Sequence, residues 1–193
     1  MAGLLLVISG PSGVGKTTIT RALREAFDDS VFSVSATTRG KTAADTDGVD
    51  YHFLSDDAFD ARVAEGAFLE HATYAGNRYG TLRAPVDEAL DAGRLMILDI
   101  DVQGAIEVRR KMPEAFGVFI LPPCEDTLLQ RLRDRKRDTE EAIQRRFAAA
   151  KREIETARTC GAYDAFVVND HLASAINETI DLVTAERARR SGA

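Results

Sequence analysis

The sequence predicts an α/β fold of three layers, a mainly parallel sheet with helices on both faces, and three observations carry that prediction. Short apolar runs recur at Leu4 to Ser9, Val31 to Ser35, Leu95 to Asp99, Gly117 to Leu121 and Ala165 to Val168. Each is followed, directly or after an insertion, by a stretch with helical spacing, and strands joined by helical crossovers run parallel. The first run also leads straight into GPSGVGKT, Gly10 to Thr17, a complete G-x-x-x-x-G-K-[ST] phosphate loop that opens a helix at about Thr18 to Phe27.

That loop sits at the carboxyl edge of the first strand, where open parallel sheets bind ligands. Small residues and glycines let consecutive backbone N–H groups curl around phosphate oxygens, and the helix N-terminus behind them adds partial positive charge. Lys16 is expected to reach the β- and γ-phosphates as a point charge, and the Thr17 hydroxyl to ligate Mg²⁺. The expected triphosphate site is therefore Gly10, Pro11, Ser12, Gly13, Val14, Gly15, Lys16, Thr17 and Thr18.

Composition narrows the class. A chain of 193 residues with 45% hydrophobic content can bury one good core and is short for two independent ones, so one domain with inserted lobes is expected. No apolar run approaches the ~20 residues of a membrane span, and Met1-Ala2-Gly3 leads into a strand without a charged leader, so a soluble cytoplasmic protein is expected. Cys124 and Cys160 have neither metal-ligand nor disulfide-framework spacing. A net charge of −6 argues against a general nucleic-acid grip, so phosphate affinity must come from local clusters: Arg131, Arg133, Arg135, Lys136 and Arg137, then Arg145 and Arg146. His52, His71 and His171 do not cluster at metal-ligand spacing.

Two segments break the strand–helix rhythm. Residues 36–92 hold short alternating pieces, Tyr51-His52-Phe53, Phe68 to Tyr74 and Arg78-Tyr79, separated by Gly48, Gly66, Gly76 and Gly80, with a helix from Asp56 to Glu65 capped by Ser55. They read as a mixed α+β lobe inserted between core strands. Residues 125–159 read as two helices, from Glu125 and from Glu140 to Thr159, joined by the charged link Asp134 to Thr139, which is suited to a moving lid. Asp138 followed by Glu141 resembles a capping box for the second helix. The core then comprises 1–35, 93–124 and 160–193, and Ala185 to Ala193 reads as a helix end with a frayed tail.

Leu95 to Asp101 is an apolar strand ending in Asp99 and Asp101, two residues apart and so on one face. An acid at this strand end can organise a Mg²⁺ shell beside Thr17 or contact the phosphate acceptor, and either residue could do either.

The order of motifs is more specific than the loop alone. GPSGVGKT is followed by FSVSATTR (Phe32 to Arg39), GVDYHF (Gly48 to Phe53), FLEHATY (Phe68 to Tyr74), GNRYGT (Gly76 to Thr81), LDIDVQG (Leu98 to Gly104) and VVND (Val167 to Asp170). Over essentially its whole length the chain resembles the guanylate kinase family, phosphate-loop NTPases that transfer the γ-phosphate of ATP to GMP, giving ADP and GDP.

The resemblance implies that the inserted lobe binds GMP. Guanine offers two donors and one acceptor; the Glu70 carboxylate can accept both donors while the Thr81 and Ser35 hydroxyls serve the rest. Sites built on buried hydrogen bonds can reject an analogue lacking the partners by roughly 10⁴ to 10⁵. Arg39 is matched to the GMP phosphate, with the Tyr51 and Tyr79 phenols as neutral donors, Asp99 near the acceptor and Asp101 near the metal. Arg131, Arg135 and Arg146 are matched to lid residues that close over the triphosphate, and Asn169 to a residue near the adenine. Catalytic roles fall to Lys16, Arg39, Arg135 and Arg146. The implied cofactor is Mg²⁺, with ATP as phosphate donor; no nucleic-acid, membrane or protein partner is expected.

Two positions depart from the family pattern. Thr42 stands where a second phosphate-gripping arginine is usual and Ala44 where glycine is, which implies weaker GMP binding with turnover retained. Lys136-Arg137 replaces a lid glycine. A non-catalytic guanylate kinase-like binding module and a kinase of another acceptor, such as a phosphorylated pentose, are the competing readings.

Overall fold

The computed structural model describes residues 3–74, 76–134 and 139–192. In chain order the elements are β1 (Leu4–Ser9), α1 (Lys16–Ala26), β2 (Ser30–Phe32), β3 (Ala36–Thr37), β4 (His52–Phe53), α2 (Asp56–Ala64), β5 (Phe68–Tyr74) and β6 (Asn77–Leu82). They continue as α3 (Arg83–Asp91), β7 (Leu95–Asp99), α4 (Val102–Lys111), β8 (Phe116–Leu121), α5 (Glu125–Asp134), α6 (Glu140–Thr159), β9 (Ala165–Val168) and α7 (Leu172–Ser191).

Five strands form a wholly parallel sheet in the order β2-β7-β1-β8-β9. Every residue of β1 is buried, because successive side chains point to opposite faces and both faces are covered. Leu4, Leu6 and Ile8 pack with Ile19 and Leu23 of α1 and with Ala175 and Val183 of α7. Leu5 and Val7 pack with Val86 and Ala89 of α3 and with Ala105 and Val108 of α4. The alternation thus makes the three layers expected from sequence. Burying each such aliphatic side chain contributes about 1.5–3 kcal/mol.

The second sheet is mixed, in the order β4-β3-β6-β5, with β3–β4 parallel and the other pairs antiparallel. Its small core is Ala36, Phe59 and Phe68, the two rings stacked with centroids 4.5 Å apart. Helices α5 and α6 pack together through Leu128, Leu132, Ile143 and Ala150. Among the described residues no helix is long and apolar enough to cross a membrane.

Several expected boundaries shift for identifiable reasons. Helix α1 starts at Lys16 rather than Thr18, because Gly15 adopts a left-handed φ of 97° and serves as its N-cap, and Phe27 lies just beyond its end. Strand β2 stops at Phe32; the Ser33 N–H still bonds the Ile97 carbonyl at 3.0 Å, and the chain then crosses to the second sheet, where the His52 N–H bonds the Ser35 carbonyl at 2.9 Å. That crossing leaves Ser35 between the sheets. Thr139 caps α6, its side chain accepting from the Ala142 N–H at 3.3 Å, so the cap expected at Asp138 moves one residue on; Asp138 lies outside the described residues. Helix α7 continues through Ser191 instead of ending in a tail.

Candidate active site

The turn from β1 into α1 is shaped to receive an anion. The N–H groups of Thr18 and Ile19 close the first helical turn onto the Gly15 carbonyl at 3.1 and 3.2 Å, while Val14 N–H bonds the Pro11 carbonyl at 3.3 Å. No acidic side chain occupies the first turn of α1, so the positive end of the helix is not neutralised there. The Lys16 ammonium donates to the Gly10 carbonyl, folded across the loop that precedes it. Gly15 is required twice over: its φ lies in the left-handed region, and a Cβ there would come within 2.5 Å of Asn169 Nδ2.

Asn169 locks the loop from below. It is 4% exposed, and its amide donates to the Val14 carbonyl at 2.8 Å. Arg131 of α5 ties into the same corner, donating from Nη1 to the Asn169 carbonyl at 3.0 Å. Both therefore sit behind the loop, at the carboxyl end of β9. Arg146 lies half-buried on α6, and Arg135 is outside the described residues.

A cavity of about 510 Å³ opens above the loop and runs to the second sheet. Gly10 to Thr18 form one wall; Ser35, Tyr51, Glu70 and Tyr79 form the other; Asp99 and Asp101 lie between. The strands explain this convergence: β7 pairs beside β1 with Asp99 opposite Ile8, so the acids emerge next to the loop. Tyr51 and Tyr79 meet edge to face with ring centroids 5.9 Å apart. Arg39 stands off the cavity wall with its guanidinium carbon 5.2 Å from the Tyr51 ring centroid.

Glu70 is the most constrained of these side chains. It is 6% exposed, and its Oε1 accepts from the Thr81 hydroxyl at 2.6 Å and the Thr81 N–H at 3.0 Å. Burial pushes its pKa above the ordinary carboxylate value, against the Thr81 hydrogen bonds, with Asp101 adding to the rise. Thr81 is fully buried behind it rather than on the cavity wall, so it acts on the cavity through Glu70. Burial likewise raises Asp99, with the Lys16 charge opposing. Asp101 is exposed and caps α4, its Oδ1 accepting from the Gly104 N–H at 2.8 Å.

Sequence reasoning missed Glu153, on α6, which also lines the cavity. Burial raises its pKa, Lys16 opposes and Asp101 adds to the rise. Its signal was present: Glu153 follows Arg146 by seven residues, about two helical turns, and so shares a face with it. Among the described residues no three His, Cys, Asp or Glu side chains converge as a metal-binding group. Cys124 and Cys160 are free thiols.

Known proteins resemble this chain over nearly its whole length. Residues 3–186 match the family model described as guanylate kinase. The guanylate kinase of Anaeromyxobacter dehalogenans (strain 2CP-C) is 51% identical over 193 residues, covering 100% of this chain and 84% of that protein. That of Myxococcus xanthus (strain DK1622) is 45% identical over 188 residues, covering 97% and 89%. The crystal structure of guanylate kinase from Anaplasma phagocytophilum superposes with a TM-score of 0.77 at 31% identity, covering 96% of this chain and 87% of that one. With the sequence matched end to end and the fold reproduced, this chain belongs to the guanylate kinase family.

Proposed function

We propose that the cavity transfers the γ-phosphoryl group of ATP to GMP, giving ADP and GDP, with the loop as donor half and the lobe of residues 36–92 as acceptor half. The observation that supports this most directly is the single cavity in which the anion-binding loop faces a buried carboxylate and two phenols. Two substrates held side by side in one cavity are set for in-line transfer, where catalysis is mostly positioning and charge stabilisation.

On the acceptor side the roles follow from which atoms remain available. Thr81 fills the lone pairs of Glu70 Oε1, so Oε2 is the atom left to accept from the guanine N–H groups, and the Ser35 hydroxyl serves the remaining edge. Thr81 then positions Glu70 instead of touching the base, a division of labour different from the one expected from sequence. Tyr51, Tyr79 and Arg39 hold the GMP phosphate, and Asp99 lies near the acceptor.

On the donor side the loop amides and Lys16 hold the triphosphate; to do so Lys16 exchanges the Gly10 carbonyl for phosphate oxygens. The helices of residues 125–159 act as the lid, bringing Arg131, Arg135 and Arg146 to the transferring group. Asn169 holds the loop in shape beneath the adenine. Glu153 is a further acid on this side.

The donor set fits Mg²⁺. Thr17 Oγ1 and Asp101, whose Oδ2 is not used in capping α4, are hard oxygen ligands on one cavity, and few protein ligands suit an ion that keeps waters and binds phosphate oxygens. Bound there, the ion neutralises charge on the triphosphate.

A non-catalytic binding module is disfavoured because Lys16, Thr17 and Asp101 all line the cavity. A coupled assay of ADP release with GMP, AMP, UMP and no acceptor tests the proposal. GMP should accelerate release well beyond the others; no acceleration by GMP overturns it.

A further inference from the structure

Arg39, assigned above to the acceptor phosphate, is held in this structure by the chain's own Asp45. Arg39 Nη1 donates to Asp45 Oδ2 at 3.1 Å and Nη2 to Oδ1 at 2.9 Å, a two-pronged pair, and Nη1 also donates to the Gly40 carbonyl at 3.2 Å. Thr42 fixes the same carboxylate, through the oxygen that Nη1 also contacts. Both the backbone N–H and the hydroxyl of Thr42 donate to Asp45 Oδ2 at 2.7 Å. The guanidinium lies over two aromatic rings, 5.2 Å from the centroid of Tyr51 and 5.5 Å from that of Phe53.

The donor inventory of the guanidinium decides what this arrangement does. Arginine has five N–H bonds. Asp45 and Gly40 take both on Nη1, and Asp45 takes one on Nη2. The two that remain, on Nε and Nη2, are parallel and share one edge of the plane, the geometry that binds a phosphate with two hydrogen bonds. Asp45 therefore occupies the end of the fork and leaves its side edge intact, with the guanidinium over the ring of Tyr51, itself a cavity wall.

We propose that Asp45 and Thr42 are positioning residues for acceptor binding: the Thr42 hydroxyl fixes Asp45, and Asp45 presents the Nε–Nη2 edge of Arg39 to the acceptor phosphate. This rests on the assignment of GMP as acceptor. It also changes the meaning of Thr42. The residue that lacks an arginine fork holds the remaining arginine still, so that less side-chain freedom is lost when phosphate binds.

The experiment measures GMP and ATP saturation for the wild type, Thr42→Val, Thr42→Ser and Asp45→Ala, with a thermal melt of each. Thr42→Val, which loses only the hydroxyl, should raise KM for GMP about tenfold with kcat and KM for ATP unchanged, and Thr42→Ser should restore it. Asp45→Ala should raise KM for GMP at least as much. A fall in KM for GMP in Asp45→Ala would show that the carboxylate competes with the phosphate and overturn the proposal; an unchanged KM in Thr42→Val and Asp45→Ala would also overturn it. Failure of GMP to accelerate ADP release in the wild type is a separate result, which sinks the acceptor assignment itself.

Discussion

Both donors of Thr81, its hydroxyl at 2.6 Å and its N–H at 3.0 Å, converge on a single oxygen of Glu70. The pairing follows from the sheet, where Glu70 of β5 lies opposite Thr81 of β6 after a register shift beyond Phe68. The other oxygen, Oε2, faces α4 where Gly104 has no side chain; a Cβ at that position would come within 2.8 Å of it. Gly104 thus reserves space for the atom assigned to the base. Gly104→Ala should raise KM for GMP about tenfold or more, since a hydrogen bond to a charged group is worth about 1.5–3 kcal/mol, while KM for ATP stays within about twofold. Equal loss for both substrates would point to damage of the fold instead.

The Lys16 ammonium donates to the Gly10 carbonyl of its own loop, and its charge offsets the burial of Asp99 and Glu153, so replacing it removes little packing. Lys16→Met should lower kcat by about 10²–10³, the usual loss when one charge-stabilising donor is removed. The melting temperature should fall by only about 2–4 °C, because a local contact and the charge facing Asp99 and Glu153 are lost while the packing stays. A large fall in melting temperature together with kcat would contradict a purely electrostatic role.

Most of the frame was legible in the sequence, because it depends on local pattern. The strands at Leu4, Leu95 and Gly117 and the loop between Gly10 and Thr17 announce themselves through burial on two faces and glycine chemistry. The site was legible only as far as motifs reach. That Thr81 stands behind Glu70 depends on cross-strand register, which a bulge near Phe68 offsets. That Asp45 engages Arg39 depends on a loop folding back through six residues, a contact with no periodic signature. Glu153 was missed for a third reason: the heptad spacing from Arg146 gives only its helix face, α6 is charged along much of its length, and only packing beside the loop selects one acid from several.

Asn169 ties the end of β9 to the phosphate loop. Replacing it with alanine leaves the buried Val14 carbonyl without its 2.8 Å donor. An unpartnered buried polar group costs about 1–3 kcal/mol, so Asn169→Ala should lower the melting temperature by roughly 3–10 °C and raise KM for ATP more than KM for GMP. Thermal melts and saturation curves check both halves, and a normal KM for ATP in a destabilised protein would separate the two.

A second carboxylate provides a test by pH. Arg189, and next Arg190, hold the Glu186 carboxyl down at about 2, below the usual carboxylate range. Arg189 contacts both carboxylate oxygens at 2.8 Å and Arg190 contacts Oε1 at 2.7 Å. A group whose folded pKa is depressed stabilises the fold fully above its unfolded value, near 4.3 for glutamate, and loses that contribution as pH falls toward the folded value. Glu186→Gln should therefore melt about 2 °C below wild type at pH 7, and the gap should close as pH falls from ~4.5 toward ~2. A gap that stays constant with pH would show that the ion pairs are not its source.

Glu153 carries the opposite sign. Burial holds its pKa above the ordinary value although Lys16 opposes the shift, so the folded state prefers the proton more than the unfolded chain does. Below the unfolded carboxylate range there is no penalty; as pH rises through the folded value the penalty becomes complete, and at neutral pH the protein bears all of it. Glutamine, nearly the same shape without the charge, relieves it. Glu153→Gln should melt about 1–3 °C higher than wild type at pH 7.5 and show no gain near pH 4. If the acid serves the chemistry of the cavity it lines, the same variant should lose activity, as expected where function is kept at the expense of stability. A lower melting temperature at neutral pH would mean that Lys16 stabilises the ionised carboxylate more than burial penalises it, and would reverse the assignment.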